Sequence, residues 1–246
     1  MILCGMNDYS QRNYVLPEQK RLTEHYQTAA LVNSFLNKVY LWMGLGLLSS
    51  ALSCYWAVDS REFMSWLKSS FTNFLILAGA ELLVVLGLTA LLKYLSVSMA
   101  RFGFLFYAVL SGLTLGPVVL AFTAESLTLA FVTTACTFGA MSIIGLTTKK
   151  DLSCWGRMLL MVLFGVIIAS VVNILVGSST MDLIISGVGV LLFSALTAYD
   201  TQKLKNIAVL EGLDTDKAAI YGALVLYLDF INLFLYLLRF LGKAKE

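Results

Sequence analysis

The stretch LVLYLDFINLFLYLLRF, residues 224–240, decides the fold of this chain. Fifteen of its seventeen positions are neutral, most of them large and apolar, yet Asp229 lies inside it, with Asn232 three residues on and Arg239 at the far edge. A helix needs about 20 such residues to cross a hydrocarbon core about 30 Å thick. Runs of that length recur along the chain and predict seven spans, over residues 36–58, 71–92, 102–122, 127–146, 157–176, 182–204 and 217–239. The composition agrees: the 246 residues are 59% hydrophobic and 13% charged, against roughly 45–50% and about 25% for soluble domains. Only Pro17 and Pro117 interrupt helix. These features predict an all-α polytopic membrane protein with seven transmembrane helices, rather than a soluble helical core.

Residues 1–35 carry Asp8, Arg12, Glu18, Lys20, Arg21, Glu24 and the single histidine, His25. They hold no apolar core of signal-peptide type. They read as a polar N-terminal arm, with His25 solvated, ahead of a membrane domain over 36–242. Twelve of the 17 Lys and Arg residues fall on the side of the N-terminus and five on the other. This bias predicts a cytoplasmic N-terminus. It also leaves a tension, because seven spans place the basic tail (Arg239, Lys243, Lys245) outside; either the tail is tolerated there or the last span does not cross fully.

A net charge of +2 implies no nucleic-acid partner, and the lipid bilayer is the partner that the composition demands. Cys4, Cys54, Cys136 and Cys154 form no CxxC pair and no His–Cys cluster, so neither a disulfide framework nor a zinc site is expected. GxSxG, HExxH and P-loop patterns are absent. The expectation is therefore no enzyme and no cofactor. Oligomeric state has no sequence signal.

A charge inside an apolar span costs about 2.5–3.5 kcal/mol or more, so Glu81, Asp200 and Asp229 stand out, with Asn173 as the main uncharged companion. On a helical wheel Asn232 lies about 60° from Asp229, Tyr236 about 20° and Arg239 about 80°, in one polar sector. A helix surrounded by lipid has no use for such a sector, which should face other helices or a wet cavity. Ser186, Gly189, Phe193 and Thr197 fall within about 60° of Asp200, a small-residue face suited to close packing. If the last two helices align, the two carboxylates reach similar depth. Two carboxylates close together in a low dielectric cannot both ionise easily and titrate as a unit. They could share a proton, hold a basic side chain, or bind a hard cation such as Ca²⁺. The plainer alternatives are a water-exposed helix end for Asp200 and a polar anchor between helices for Asp229. Glu81 could form a structural clamp with Arg239, and Lys93 could snorkel or act as a counter-ion and latch for the aspartates.

Four stretches, SGLTLGPV (111–118), GAMSIIGLTTKKDLS (139–153), LTAYDTQKLK (196–205) and LYLDFINLFLYLLRF (226–240), together resemble the Bax inhibitor-1 family. The nearest branch is its bacterial inner-membrane YccA- and YbhL-like members, and the resemblance covers about residues 35–242. It implies seven helices with the last one central and wrapped by the other six. It also implies a pH-sensitive di-aspartyl site for calcium leak, made here by Asp200 and Asp229, which would be the Ca²⁺ ligands. Some members latch this pair with an arginine late in the second helix; here that stretch reads LLKYLSVSMAR, with Lys93 as an approximate counterpart that lacks the bidentate fork. The family also includes modulators of a membrane-bound AAA protease and suppressors of cell death. A regulatory membrane protein acting through its N-terminal arm is thus the rival to a pH-gated cation leak, and a proton-coupled carrier is a third reading.

Overall fold

The computed structural model describes residues 17–209 and 215–243, with side chains from Ala29 onward except that of Thr215. The helices are α1 (Pro17–Asp59), α2 (Arg61–Ser69), α3 (Phe71–Leu91), α4 (Val97–Ala121), α5 (Ala124–Thr147), α6 (Gly156–Val176), α7 (Ser179–Ile207) and α8 (Thr215–Leu241), with a 3₁₀ turn at Ser153–Trp155. Seven of these are long and apolar enough to cross a membrane. Small polar residues set the breaks between apolar runs. Ser60, Ser70, Ser96, Thr123 and Ser178 each accept a backbone N–H from the first turn of the helix they precede, satisfying donors that a helix start leaves free. Gly177 ends α6 in the left-handed region at φ 69°, a conformation that costs glycine little.

Two features differ from the sequence reading. No break separates an arm from the first span, because α1 is continuous from Pro17 and Val32 and Phe35 already belong to the core. The side chains of residues 17–28, including His25, and all of residues 1–16 lie outside the described part. The second difference is α2, a short helix between the first two spans that buries Met64 and Leu67 and exposes Trp66. At nine residues it is too short to register as a span, although Ser60 with Glu62 marks its start.

Successive spans alternate in direction, so the bundle has a proximal end, where α1 enters, and a distal end. α8 packs against α1, α4, α5 and α7, while α3 lies on α4 and α6 on α7. Leu226, Tyr227, Leu233 and Leu238 of α8 are fully buried. Leu83 of α3 and Leu175 of α6 point outward, 72% and 84% exposed, as lipid-facing side chains do. Without a hydrophobic drive between helices in lipid, close approach through small residues carries the packing. Gly112 of α4 meets Ser50 and Ser53 of α1, and Gly145 of α5 meets the Ala198 carbonyl of α7. At the distal end Thr123 N–H donates to the Lys243 carbonyl at 3.3 Å, and Lys243 N–H donates to Ser126 Oγ at 2.8 Å. The last helix therefore crosses the bundle completely, and Lys243 sits at the α4–α5 turn.

Candidate functional site: an aspartate pair between the last two helices

The α7–α8 interface is antiparallel and its register is read from three contacts. Gly189 lies under the ring of Tyr236, Phe193 stacks on the same ring with centroids 5.6 Å apart, and Gly222 packs against Leu204. That register brings Asp200 level with Asp229, and the charge of Asp200 bears directly on Asp229. The small-residue face of α7 turns inward as its pattern implied, with Ser186, Gly189, Phe193 and Thr197 all buried.

Asp229 is 4% exposed, and its Oδ2 is buried with no hydrogen-bond partner. Beside Asp200, the hydroxyl of Thr201 is likewise buried without a partner. An unpaired buried carboxylate is expensive; a proton or a cation at this point relieves that cost. Asp200 has Lys203, three residues on, as its nearby cation. Among the described residues no cluster of three or more His, Cys, Asp or Glu side chains forms. A hard cation held by two carboxylates would complete its oxygen shell with carbonyls or water.

The other anticipated residues are placed elsewhere. Lys93 is exposed in the turn after α3, with its ammonium 4.7 Å from the ring of Tyr94, and does not latch the aspartates. The clamp between Glu81 and Arg239 does not form either. Glu81, midway along α3, lies near Tyr107 of α4, while Arg239 is exposed near the distal end of α8, over the Tyr236 ring at 5.9 Å. Ten residues of helix separate Arg239 from Asp229, about 15 Å, which explains why Arg239 reaches neither carboxylate. Asn232 donates back to the Leu228 carbonyl of its own helix at 2.8 Å. Tyr236 serves the packing on Gly189, and Asn173 caps α6 by accepting from Ser178 N–H at 3.1 Å. Of the polar sector on α8, only Asp229 meets an ionisable partner on α7.

Polar contacts missed by the sequence reading brace the region. Gln202, two residues past Asp200, accepts from Leu152 N–H at 2.8 Å and donates to the Lys150 carbonyl at 2.9 Å. Lys205 donates to the Leu146 carbonyl at 2.8 Å. These bonds hold the end of α7 on the α5–α6 loop and the end of α5. In that loop Asp151 accepts from Ser153, whose hydrogen bonds keep the Asp151 carboxyl below its usual range. On α8, the phenol of Tyr227 is 2.6 Å from Ser50 Oγ of α1. At the start of α8, Asp216 bridges Lys38 of α1 at 2.8 Å and Arg101 of α4 at 3.0 Å. Nothing in the local sequence around Asp216 names partners that lie more than a hundred residues away.

Comparison with known proteins agrees with the architecture. A family model described as inhibitor of apoptosis-promoting Bax1 matches residues 32–246. The inner membrane protein YbhL of Escherichia coli is 43% identical over 228 residues, covering 89% of this chain and 95% of that protein. An uncharacterized protein of Deinococcus radiodurans is 39% identical over 239 residues, covering 96% and 99% of the two chains. One of Borreliella burgdorferi is 38% identical over 228 residues, covering 92% and 98%. With a family model matched over most of its length and relatives similar from end to end, this chain belongs to the Bax inhibitor-1 family.

Proposed function

We propose that this protein is a pH-sensitive calcium (cation) leak channel of the bacterial cytoplasmic membrane, in which Asp200 and Asp229 bind the ion and sense protons. The observation that carries the reading is the buried, unpartnered oxygen of Asp229 on a helix whose register against α7 puts Asp200 at the same level. A group kept so deep without a partner costs stability, and a transient partner gives that cost a use. Ca²⁺ is the cargo, and no cofactor or covalent chemistry is involved. The proximal end is the cytoplasmic one, by its excess of Lys and Arg, and the bacterial inner membrane is the location printed for the relative YbhL. Protonation of the pair removes charge from the site, changing both its hold on the ion and the fit of α8 against α7.

The test is calcium-dye flux in liposomes. Asp200→Asn and Asp229→Asn should each alter the leak and flatten its dependence on pH. Unchanged leak with an unchanged pH profile in both variants overturns the reading.

A further inference from the structure

The aspartate pair occupies only one face of α8. On the helical wheel Ile220, Ala223 and Tyr227 lie within about 40° of Asp216, whereas Gly222, Asp229 and Tyr236 lie about 120–160° away. The second set looks toward α7. The first looks toward α1 and α4, which grip it at two levels. At the proximal end Asp216 Oδ1 accepts from Lys38 Nζ of α1 at 2.8 Å, and Oδ2 accepts from Arg101 Nη2 of α4 at 3.0 Å. The Arg101 guanidinium is also placed by the Trp42 ring of α1, 5.4 Å away. Three turns on, Tyr227 reaches Ser50 at 2.6 Å and stands edge-on to Phe104 and Tyr107 of α4, each at 5.8 Å.

We propose that Asp216 is a positioning residue for the Asp200–Asp229 pair, which rests on the reading of that pair as the functional site. Beyond the Tyr227 anchor, the rest of the proximal half of α8 is held by apolar packing through Ala219, Ile220, Ala223 and Leu224. Such packing is non-directional and leaves the helix more freedom to turn than a hydrogen-bonded bridge does. A second anchor about 16 Å away along the helix removes that freedom, so that Asp229 stays aimed at Asp200. Because the bridges to Lys38 of α1 and Arg101 of α4 lie on the face of α8 away from Asp229, they set the pair without touching it. The side chains of Lys38, Asp216 and Arg101 remain 49%, 40% and 39% exposed. Bridges this exposed add little stability and can be released without unfolding the bundle. The anchor thereby suits a helix that has to move.

The test uses the full chain in nanodiscs of phosphatidylcholine and phosphatidylglycerol, comparing Asp216→Asn, the pair Lys38→Gln with Arg101→Gln, and Asp216→Glu. Hydrogen exchange of residues 216–223 should accelerate about tenfold in the first two and return toward wild type in Asp216→Glu. The infrared carboxyl band of Asp229, identified by its loss in Asp229→Asn, should shift in the first two variants and be restored in the third. A band that stays at its wild-type position in Asp216→Asn, or exchange that does not change, overturns the proposal. If wild-type vesicles fail to leak calcium while the band still follows Asp216, the channel reading fails and the positioning role stands.

Discussion

The ring of Tyr236 occupies the space that a side chain on Gly189 would need, so α7 and α8 meet at ring-to-backbone distance one span-third away from the aspartates. A larger residue at 189 must push this ring off Phe193. Gly189→Val is expected to destabilise the protein by about 1–3 kcal/mol, the usual cost of overpacking. Gly145→Val should cost more, because its neighbour is the Ala198 backbone, which cannot swing aside. Gly87→Ala, where an added Cβ meets nothing within 4 Å, should be neutral or slightly stabilising. Thermal unfolding of the three variants in one detergent gives the ranking, and an equal loss at 87 and 145 would contradict this account of the packing.

Ser50 Oγ is placed to serve three groups, the Tyr227 phenol at 2.6 Å, the Ala108 carbonyl at 2.7 Å and the Gly46 carbonyl of its own helix at 3.0 Å. Removing either hydroxyl, in Ser50→Ala or Tyr227→Phe, should cost about 0.5–1.5 kcal/mol. A double-mutant cycle should return a coupling of about 0.6 kcal/mol, the typical size for interhelical hydrogen bonds in membranes. Additive losses would show that the two hydroxyls act separately.

Gln202 is a clamp on the α5–α6 loop rather than a group of the site. Gln202→Leu leaves Leu152 N–H and the Lys150 carbonyl without their partner. Hydrogen exchange over 148–155 should rise by about one to two orders of magnitude, the equivalent of about 1–3 kcal/mol. Gln202→Glu keeps an acceptor for Leu152 and loses only the donor to Lys150, so its exchange should fall between wild type and the leucine variant.

Asp229 gives a direct contrast between a structural anchor and a site kept for an ion. An anchor has partners, and losing its charge weakens the fold. Asp229 Oδ2 has none, so at neutral pH Asp229→Asn should raise the unfolding midpoint, by about 1–3 kcal/mol in stability. A lower midpoint would favour the anchor.

Much of the architecture was legible beforehand because lipid imposes simple rules. The span expected over 71–92 is the helix Phe71–Leu91, and that expected over 157–176 is Gly156–Val176. Both are peripheral helices, apolar along most of their length, whose ends are set by where hydrophobicity stops. Boundaries moved most where more polar chain remains helical outside the apolar stretch, as at the starts of α1 and α4. The burial of Asp229 was equally readable, since a carboxylate midway along a span has nowhere else to go.

Partners were another matter. Helical periodicity places Asn232, Tyr236 and Arg239 in one sector with Asp229, but periodicity fixes only an angle about one helix axis. It says nothing of height against a neighbour or of which rotamer a side chain adopts. Asn232 turned to its own backbone, Arg239 stayed exposed near the distal end, and Glu81 lies near Tyr107 rather than an arginine. The amino-acid sequence by itself determined the number of spans, their order and the helices that carry a buried acid, because each follows from local hydrophobicity and the 3.6-residue turn. Only the tertiary structure decided that α8 is held on one face by Lys38, Arg101 and Ser50 and offers Asp229 on the other. Those contacts join residues up to 178 apart in the chain, and their geometry comes from how helices cross, which no single span encodes.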